Sequence, residues 1–192
     1  DRAMALRFHS QTGGSTLTAQ QPQNNIVRVA IQVLSAALGG AQSIHANGFD
    51  EALALPTGQA AKLALRTQQT IAAESGIRDT VDPLGGSWFV ESLTAELEGR
   101  ANELIAEIDR RGGAVRCIEL MQELIHDSAY RHEQEVTSGD RPIVGINVYR
   151  ENDEVSPEIL RVDPAVEHAQ VARLAELRAG RDNETVTTLL AT

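Results

Sequence analysis

The chain has 192 residues, 42% of them apolar, with a formal net charge of −10 and a single cysteine, Cys117. The acidic balance argues against nucleic acid as a partner, since phosphate binding rests on clustered Lys and Arg, and here the arginines are scattered and Lys62 is the only lysine. One cysteine leaves no internal disulfide framework, and no 18-residue apolar run or signal-like start supports a membrane or secreted protein, so a reducing cytoplasm is the expected location.

The first residue is Asp1 rather than Met, and we expect a piece of a longer polypeptide. Residues 4 to 9 read as a short, largely buried strand, and Gly13-Gly14 marks the loop after it. Pro22 with Asn24-Asn25 is a plausible helix start. The run from Ile26 to Leu38 is apolar on most faces and stops at Gly39-Gly40, so that helix must be packed between layers. Ser43-Ile44-His45 reads as a second strand, and residues 58 to 75 as a second helix.

Strand, helix, strand, helix is the order of a parallel α/β architecture, so the strands are expected to run parallel with their polar ends on one side. Two βα units cannot close a barrel, and the remaining strands must come from residues outside this sequence or from another chain. From residue 88 the pattern turns helical, with amphipathic runs from Val90 to Arg110 and from Ala114 to Thr137, followed by one strand from Arg141 to Tyr149. Beyond Arg150 the composition becomes charged and polar, with Pro157 and Pro164 as breakers and a polar helix over residues 164 to 190. The expected divisions are therefore 1–87, 88–150 and 151–192.

Candidate chemistry gathers where the first two strands end. His9 and Gln11 alternate out of the first strand, so both can face one space, where an imidazole and an amide hydrogen-bond a polar ligand without adding charge. The competing reading makes His9 a satisfied core histidine. Asn47 and Glu51 bracket the turn after the second strand, and a carboxylate there suits two vicinal hydroxyls, since each ionised oxygen accepts a strong hydrogen bond. The alternative is that Asn47 or Asp50 only caps the next helix. His45 lacks a second His or Cys at ligand spacing, so no metal site is expected. Cys117 reads as buried filler, His126, His132 and His168 as solvent-exposed, and Gly85-Gly86 and Gly112-Gly113 as turns.

The segments Arg7-Phe8-His9-Ser10-Gln11-Thr12-Gly13-Gly14 and His45-Ala46-Asn47-Gly48-Phe49-Asp50-Glu51-Ala52-Leu53-Ala54-Leu55-Pro56 resemble the cobalamin-facing loops of the methylmalonyl-CoA mutase family of acyl-CoA mutases. The resemblance continues through Leu17-Thr18-Ala19-Gln20-Gln21-Pro22, Asn24-Asn25, Thr67-Gln68-Gln69, Asp82-Pro83-Leu84-Gly85-Gly86-Ser87-Trp88 and Val144-Gly145-Ile146-Asn147. It implies the C-terminal portion of a (β/α)8 barrel, two parallel βα units followed by a mainly helical extension.

The activity implied is radical carbon-skeleton isomerisation of a short branched acyl-CoA, with adenosylcobalamin as cofactor. By resemblance Gln11 contacts the adenosyl region, Gly14 lets the corrin approach the backbone, and Glu51 binds the adenosyl ribose. Asn47, Ala52 and Ala54 line the same pocket. The family's D-x-H-x-x-G pattern, which supplies the lower-ligand His, is absent, so a cobalamin-binding domain or subunit is the expected partner, in an oligomer, and this stretch alone should be inactive. Ser15, Gln23 and Ala46 stand where methylmalonyl enzymes commonly carry Trp, Tyr and Thr, which leaves isobutyryl-, ethylmalonyl- and hydroxyisobutyryl-type substrates open. A non-catalytic scaffold or subunit-assembly module derived from that barrel is the alternative, supported by the amount of amphipathic helix beyond residue 88.

Overall fold

The computed structural model describes residues 5–151 and 158–191. Met4, at the start of the expected first strand, and Pro157 lie outside the described residues. The chain divides into two compact units, Asp1–Ile159 and Leu160–Thr192.

In the first unit, β1 (His9–Gln11) and β2 (Ser43–His45) pair in parallel, with His9 opposite Ser43, Ser10 opposite Ile44 and Gln11 opposite His45. The parallel pairing agrees with the sequence. The first strand, however, covers residues 9–11 rather than 4–9. Leu6 and Phe8 are exposed, so the apolar residues that suggested a buried strand sit ahead of it, and the hydrogen-bonded part is the polar His-Ser-Gln. Helix α1 (Asn24–Leu38) connects the strands and α2 (Gly58–Glu74) follows the second, which is the connection that parallel strands require.

The core lies between α1, α2 and one face of the sheet. Val29 and Val33 of α1, each 2% exposed, meet Leu17, Ala46 and Ala64, with Ile44 and Ile71 packed at the edge. Ala60 and Ala64 are the buried residues of α2, and their small side chains let the two helices approach closely. Thr57 starts α2 by accepting the Ala60 N–H on its hydroxyl, an N-cap. The other flank of α1 is open, with Val27 61% and Ile31 60% exposed. The expectation of cover on most faces is therefore not met within this unit.

The helical stretch consists of α3 (Trp88–Arg110) and α4 (Ile118–Ser138), linked by a 3-10 turn, Ala114–Cys117. Glu91 accepts the Gly86 N–H, placing a carboxylate at the positive end of α3. At the other end Glu107 pairs with Arg110 and Arg111, and the Arg111 hydrogen bond, followed by the Arg110 charge, holds its carboxyl below the usual range. Cys117 is buried, as expected, with its Sγ 3.7 Å from the Ile108 carbonyl oxygen. His126 and His132 are exposed.

Residues 141–149 do not form the expected strand. Their apolar alternation is folded back on itself: the Gly145 N–H donates to the Val148 carbonyl and the Ile146 N–H to the Ile143 carbonyl. Asn147 closes the turn by accepting the Ile143 N–H and donating to Val136 O and Arg141 O. Gly145 has φ +82°, a left-handed conformation that favours glycine, so this residue makes the reversal possible. Only an isolated bridge between Val144 and Val148 remains of β structure there.

The second unit contains α5 (Pro164–Gly180) and α6 (Asn183–Leu190). Pro164 opens α5 at a position where its missing N–H costs nothing, and Asp163 caps that end through the Ala165 N–H. Asp182 caps α6, accepting from the Glu184 and Thr185 N–H groups and the Thr185 hydroxyl, and these bonds draw its carboxyl below the usual range. His168 is exposed on α5. Among the described residues no helix is long and apolar enough to cross a membrane.

Candidate functional site at the strand ends

Both strands finish in polar residues, and the loops that follow, 12–23 and 46–57, are knitted together. The Thr12 N–H donates to the His45 carbonyl at 3.0 Å, extending the sheet by one bond. Thr12 then receives Asn47 twice: the Asn47 N–H donates to its hydroxyl at 2.9 Å and Asn47 Nδ2 donates to its carbonyl at 3.1 Å. Asn47 Oδ1 accepts from Gln11 Nε2 at 3.3 Å. Asn47 is buried and Gln11 is exposed, so the amide of Gln11 is aimed from a fixed base toward solvent.

Gly14 and Glu51 complete the cluster. A Cβ on Gly14 would lie 3.2 Å from Asn47 Nδ2, 3.4 Å from Glu51 Cγ and 3.7 Å from Glu51 Oε1, so the two loops meet where a side chain would intrude. Glu51 is exposed. Ala52 is exposed too, and Ala54 is half-buried with its N–H bonded to the Asp50 carbonyl. The structure thus brings Gln11, Gly14, Asn47 and Glu51 into one place, with Ala52 and Ala54 in the turn beside them.

The two competing readings of these residues are both displaced. His9 is not a core histidine: it is exposed, on the same face of β1 as Gln11, with Nδ1 2.7 Å from Ser43 Oγ. Neither Asn47 nor Asp50 supplies the cap of α2, which belongs to Thr57. Asp50, 1% exposed, accepts the Thr57 N–H on Oδ2 at 2.9 Å and so closes the loop across its base, while its Oδ1 has no hydrogen-bond partner among the described residues. His45 shares the exposed face of the sheet, and among the described residues no group of three or more His, Cys, Asp or Glu could hold a metal.

Three residues support the site in roles that the sequence does not show. Thr12 stands in a polar loop, and Asp50 reads only as a candidate cap of the next helix. Asn25 read only as a helix start, yet it is fully buried and joins both loops. Only the density of Asn, Thr and Asp around two Gly-containing turns could have pointed to them. A cavity of about 590 Å³ lies elsewhere, at the C-terminal end of α1, among Leu38, Ile77, Leu84 and Val90. Its polar lining residues are Thr80, Asp82, Glu91 and Thr94, none of them at the strand ends.

An α/β unit whose polar side chains converge at the carboxyl ends of parallel strands belongs to the class of proteins that build their sites from βα loops. The family described as methylmalonyl-CoA mutase matches residues 1–192, and the chain belongs to that family. It is 48% identical over 191 residues to the 2-hydroxyisobutanoyl-CoA mutase large subunit of Aquincola tertiaricarbonis, covering 98% of this chain and 34% of that protein. It is 43% identical over 192 residues to the methylmalonyl-CoA mutase of Escherichia coli K12, with 98% of this chain and 27% of that protein covered. A third relative, the methylmalonyl-CoA mutase of Rhizobium meliloti, is 45% identical over 185 residues, with 95% and 26% covered. The chain spans about a third of the first relative's length and about a quarter of the other two.

Proposed function

We propose that this chain is the part of an acyl-CoA mutase that receives the adenosyl side of adenosylcobalamin at the ends of β1 and β2. The observation that carries this reading is the junction of Gly14, Asn47 and Glu51, in which two loops touch and leave a carboxylate pointing outward. Bound adenosylcobalamin would supply a carbon radical for hydrogen abstraction, chemistry that amino-acid side chains do not provide.

The residues present fit that group. The Glu51 carboxylate makes no hydrogen bond or ion pair among the described residues, so both its oxygens are open to the vicinal hydroxyls of a ribose. The Gln11 amide, steadied through Asn47, has its carbonyl oxygen free to accept and carries no charge that would compete with Glu51. Gly14, lacking a Cβ, lets the turn that carries Glu51 pack against the first loop and would let a flat macrocycle approach the backbone there, with Ala52 and Ala54 as small walls. His9 and His45 face the same side of the sheet as Gln11, where they would line the cavity over the substrate.

None of these groups transfers a proton in this reading: they bind, orient and exclude water. The substrate is an acyl-CoA, drawn from the same class as the relatives' names, and the lower ligand of the cobalamin comes from a further domain or subunit. The remaining barrel strands flank β1 and β2 in the longer polypeptide, and the complete enzyme is an oligomer in the cytoplasm. Within it, residues 1–87 are the βα portion, 88–150 a helical segment and 151–192 an extension.

The test is an isomerisation assay on the full-length polypeptide with its cobalamin partner, using 2-hydroxyisobutanoyl-CoA, isobutyryl-CoA, ethylmalonyl-CoA and methylmalonyl-CoA in turn. Conversion of at least one of them, dependent on added adenosylcobalamin, is expected. Tight cobalamin binding with no isomerisation of any would favour the scaffold alternative.

A further inference from the structure

Asn25 lies under both site loops and belongs to neither. It is fully buried, and all of its hydrogen-bonding capacity is used. Its Oδ1 accepts the Thr18 N–H at 3.1 Å and Arg28 Nη1 at 2.8 Å; its Nδ2 donates to Thr18 O at 2.8 Å and to Phe49 O at 2.8 Å. Thr18 stands in the first loop, and Phe49 stands two residues before Glu51 in the second. Arg28 adds a bond to the Thr18 hydroxyl and another to the Val144 carbonyl, bracing the same junction from the 141–149 turn.

An asparagine at a helix start ordinarily serves its own helix. Asn24 stays local, donating to the side chain of Gln21 three residues earlier. Asn25, one position on, spends its amide on two loops that are separated by 31 residues between Thr18 and Phe49. A buried amide with every bond made admits one arrangement of its partners, because shifting either loop leaves a donor or acceptor unpaired.

We infer that Asn25 is a positioning residue that holds the turn carrying Glu51 at a set distance from the Gln11–Gly14 loop, and that Glu51 meets its ligand only with Asn25 in place. The inference rests on the reading of the strand ends as the adenosylcobalamin face.

The substitution that tests it is Asn25→Asp in the full-length protein, with Val33→Ala as a control that weakens the core packed against the loops without removing a hydrogen bond of either. Aspartate keeps an acceptor for Thr18 and Arg28 but has no N–H for Thr18 O or Phe49 O. Amide hydrogen exchange over residues 47–57 and adenosylcobalamin affinity, read from its visible absorption, are compared in wild type, N25D, V33A and E51Q. For N25D, exchange in this segment should speed up about tenfold and the Kd for adenosylcobalamin should rise about tenfold, the size of effect that one or two lost buried hydrogen bonds produce.

V33A should change both by less than about twofold. Asn25→Ala, which removes the bonds without adding charge, should repeat the N25D pattern and serves where N25D fails to fold. If N25D resembles V33A in exchange, or binds adenosylcobalamin as wild type while E51Q binds it weakly, the positioning role is wrong. If E51Q itself binds as wild type, the cofactor reading beneath it is wrong.

Discussion

Gly14→Ala separates binding from stability. The added Cβ would stand 3.2 Å from Asn47 Nδ2 and 3.4 Å from Glu51 Cγ, and φ at Gly14 is not in the left-handed region, so the backbone itself accepts alanine. Glu51 is exposed and can swing aside. Asn47 cannot, because Thr12 and Gln11 hold it at three points. Relief must therefore stretch the 3.1 Å bond from Asn47 Nδ2 to Thr12 O, at a cost of about 1 to 1.5 kcal/mol. Replacing glycine by alanine also stabilises by about 0.4 to 1 kcal/mol through the unfolded chain, so the net change in folding stability should be under about 1 kcal/mol.

Ligand affinity has no such offset. With Glu51 pushed from its place beside Gly14, the Kd for adenosylcobalamin should rise about tenfold or more, which corresponds to about 1.4 kcal/mol. Urea unfolding of the full-length protein and titration by visible absorption measure the two quantities. An unchanged Kd alongside a loss of several kcal/mol in stability would refute the placement of Gly14 against the ligand.

Thr12→Val keeps the shape of the side chain but leaves the buried Asn47 N–H without its acceptor, and should destabilise the first unit by about 1 to 3 kcal/mol in chemical denaturation. Thr12→Ser, which retains the hydroxyl, should recover most of that loss. Acid should act on helix ends first. Glu107 and Asp182 both have carboxyls held below their ordinary values, so their contribution is present above the usual carboxylate pKa of about 4 and is lost as the pH falls through their lowered values. Residue-resolved exchange during an acid titration should show the end of α3 and the start of α6 loosening in that window, and Asp182→Asn should blunt the effect at α6.

Much of the fold was legible because the punctuation is local. Thr57, Gly39-Gly40 and Gly139 mark helix ends by their own chemistry, and α1, α2, α3 and α4 lie within a few residues of their expected spans. The strands were harder. At β1 the apolar run Met4 to Phe8 drew the assignment forward, whereas parallel pairing with Ser43–His45 selects His9–Gln11, a tertiary choice that no local pattern shows. At 141–149 an alternating sequence lost to the Asn147 side chain and a left-handed Gly145, which fold the segment on itself. The site divides the same way. Gln11, Asn47 and Glu51 could be picked because they sit at strand ends, but Asn25 was invisible, since its partners are set by where α1 lies under the two loops.

The central claim is that Glu51 and its neighbours read the adenosyl group. The most direct measurement is the ratio of affinities for adenosylcobalamin and hydroxocobalamin, which lacks that group, in the full-length protein before and after Glu51→Gln. A neutral amide oxygen accepts a weaker hydrogen bond than a carboxylate, and the loss on adenosylcobalamin should be about 1 to 3 kcal/mol, with hydroxocobalamin affinity unchanged. A preference for adenosylcobalamin that falls about tenfold or more in the variant is the predicted result. Equal changes for the two cobalamins, or none for either, would contradict it.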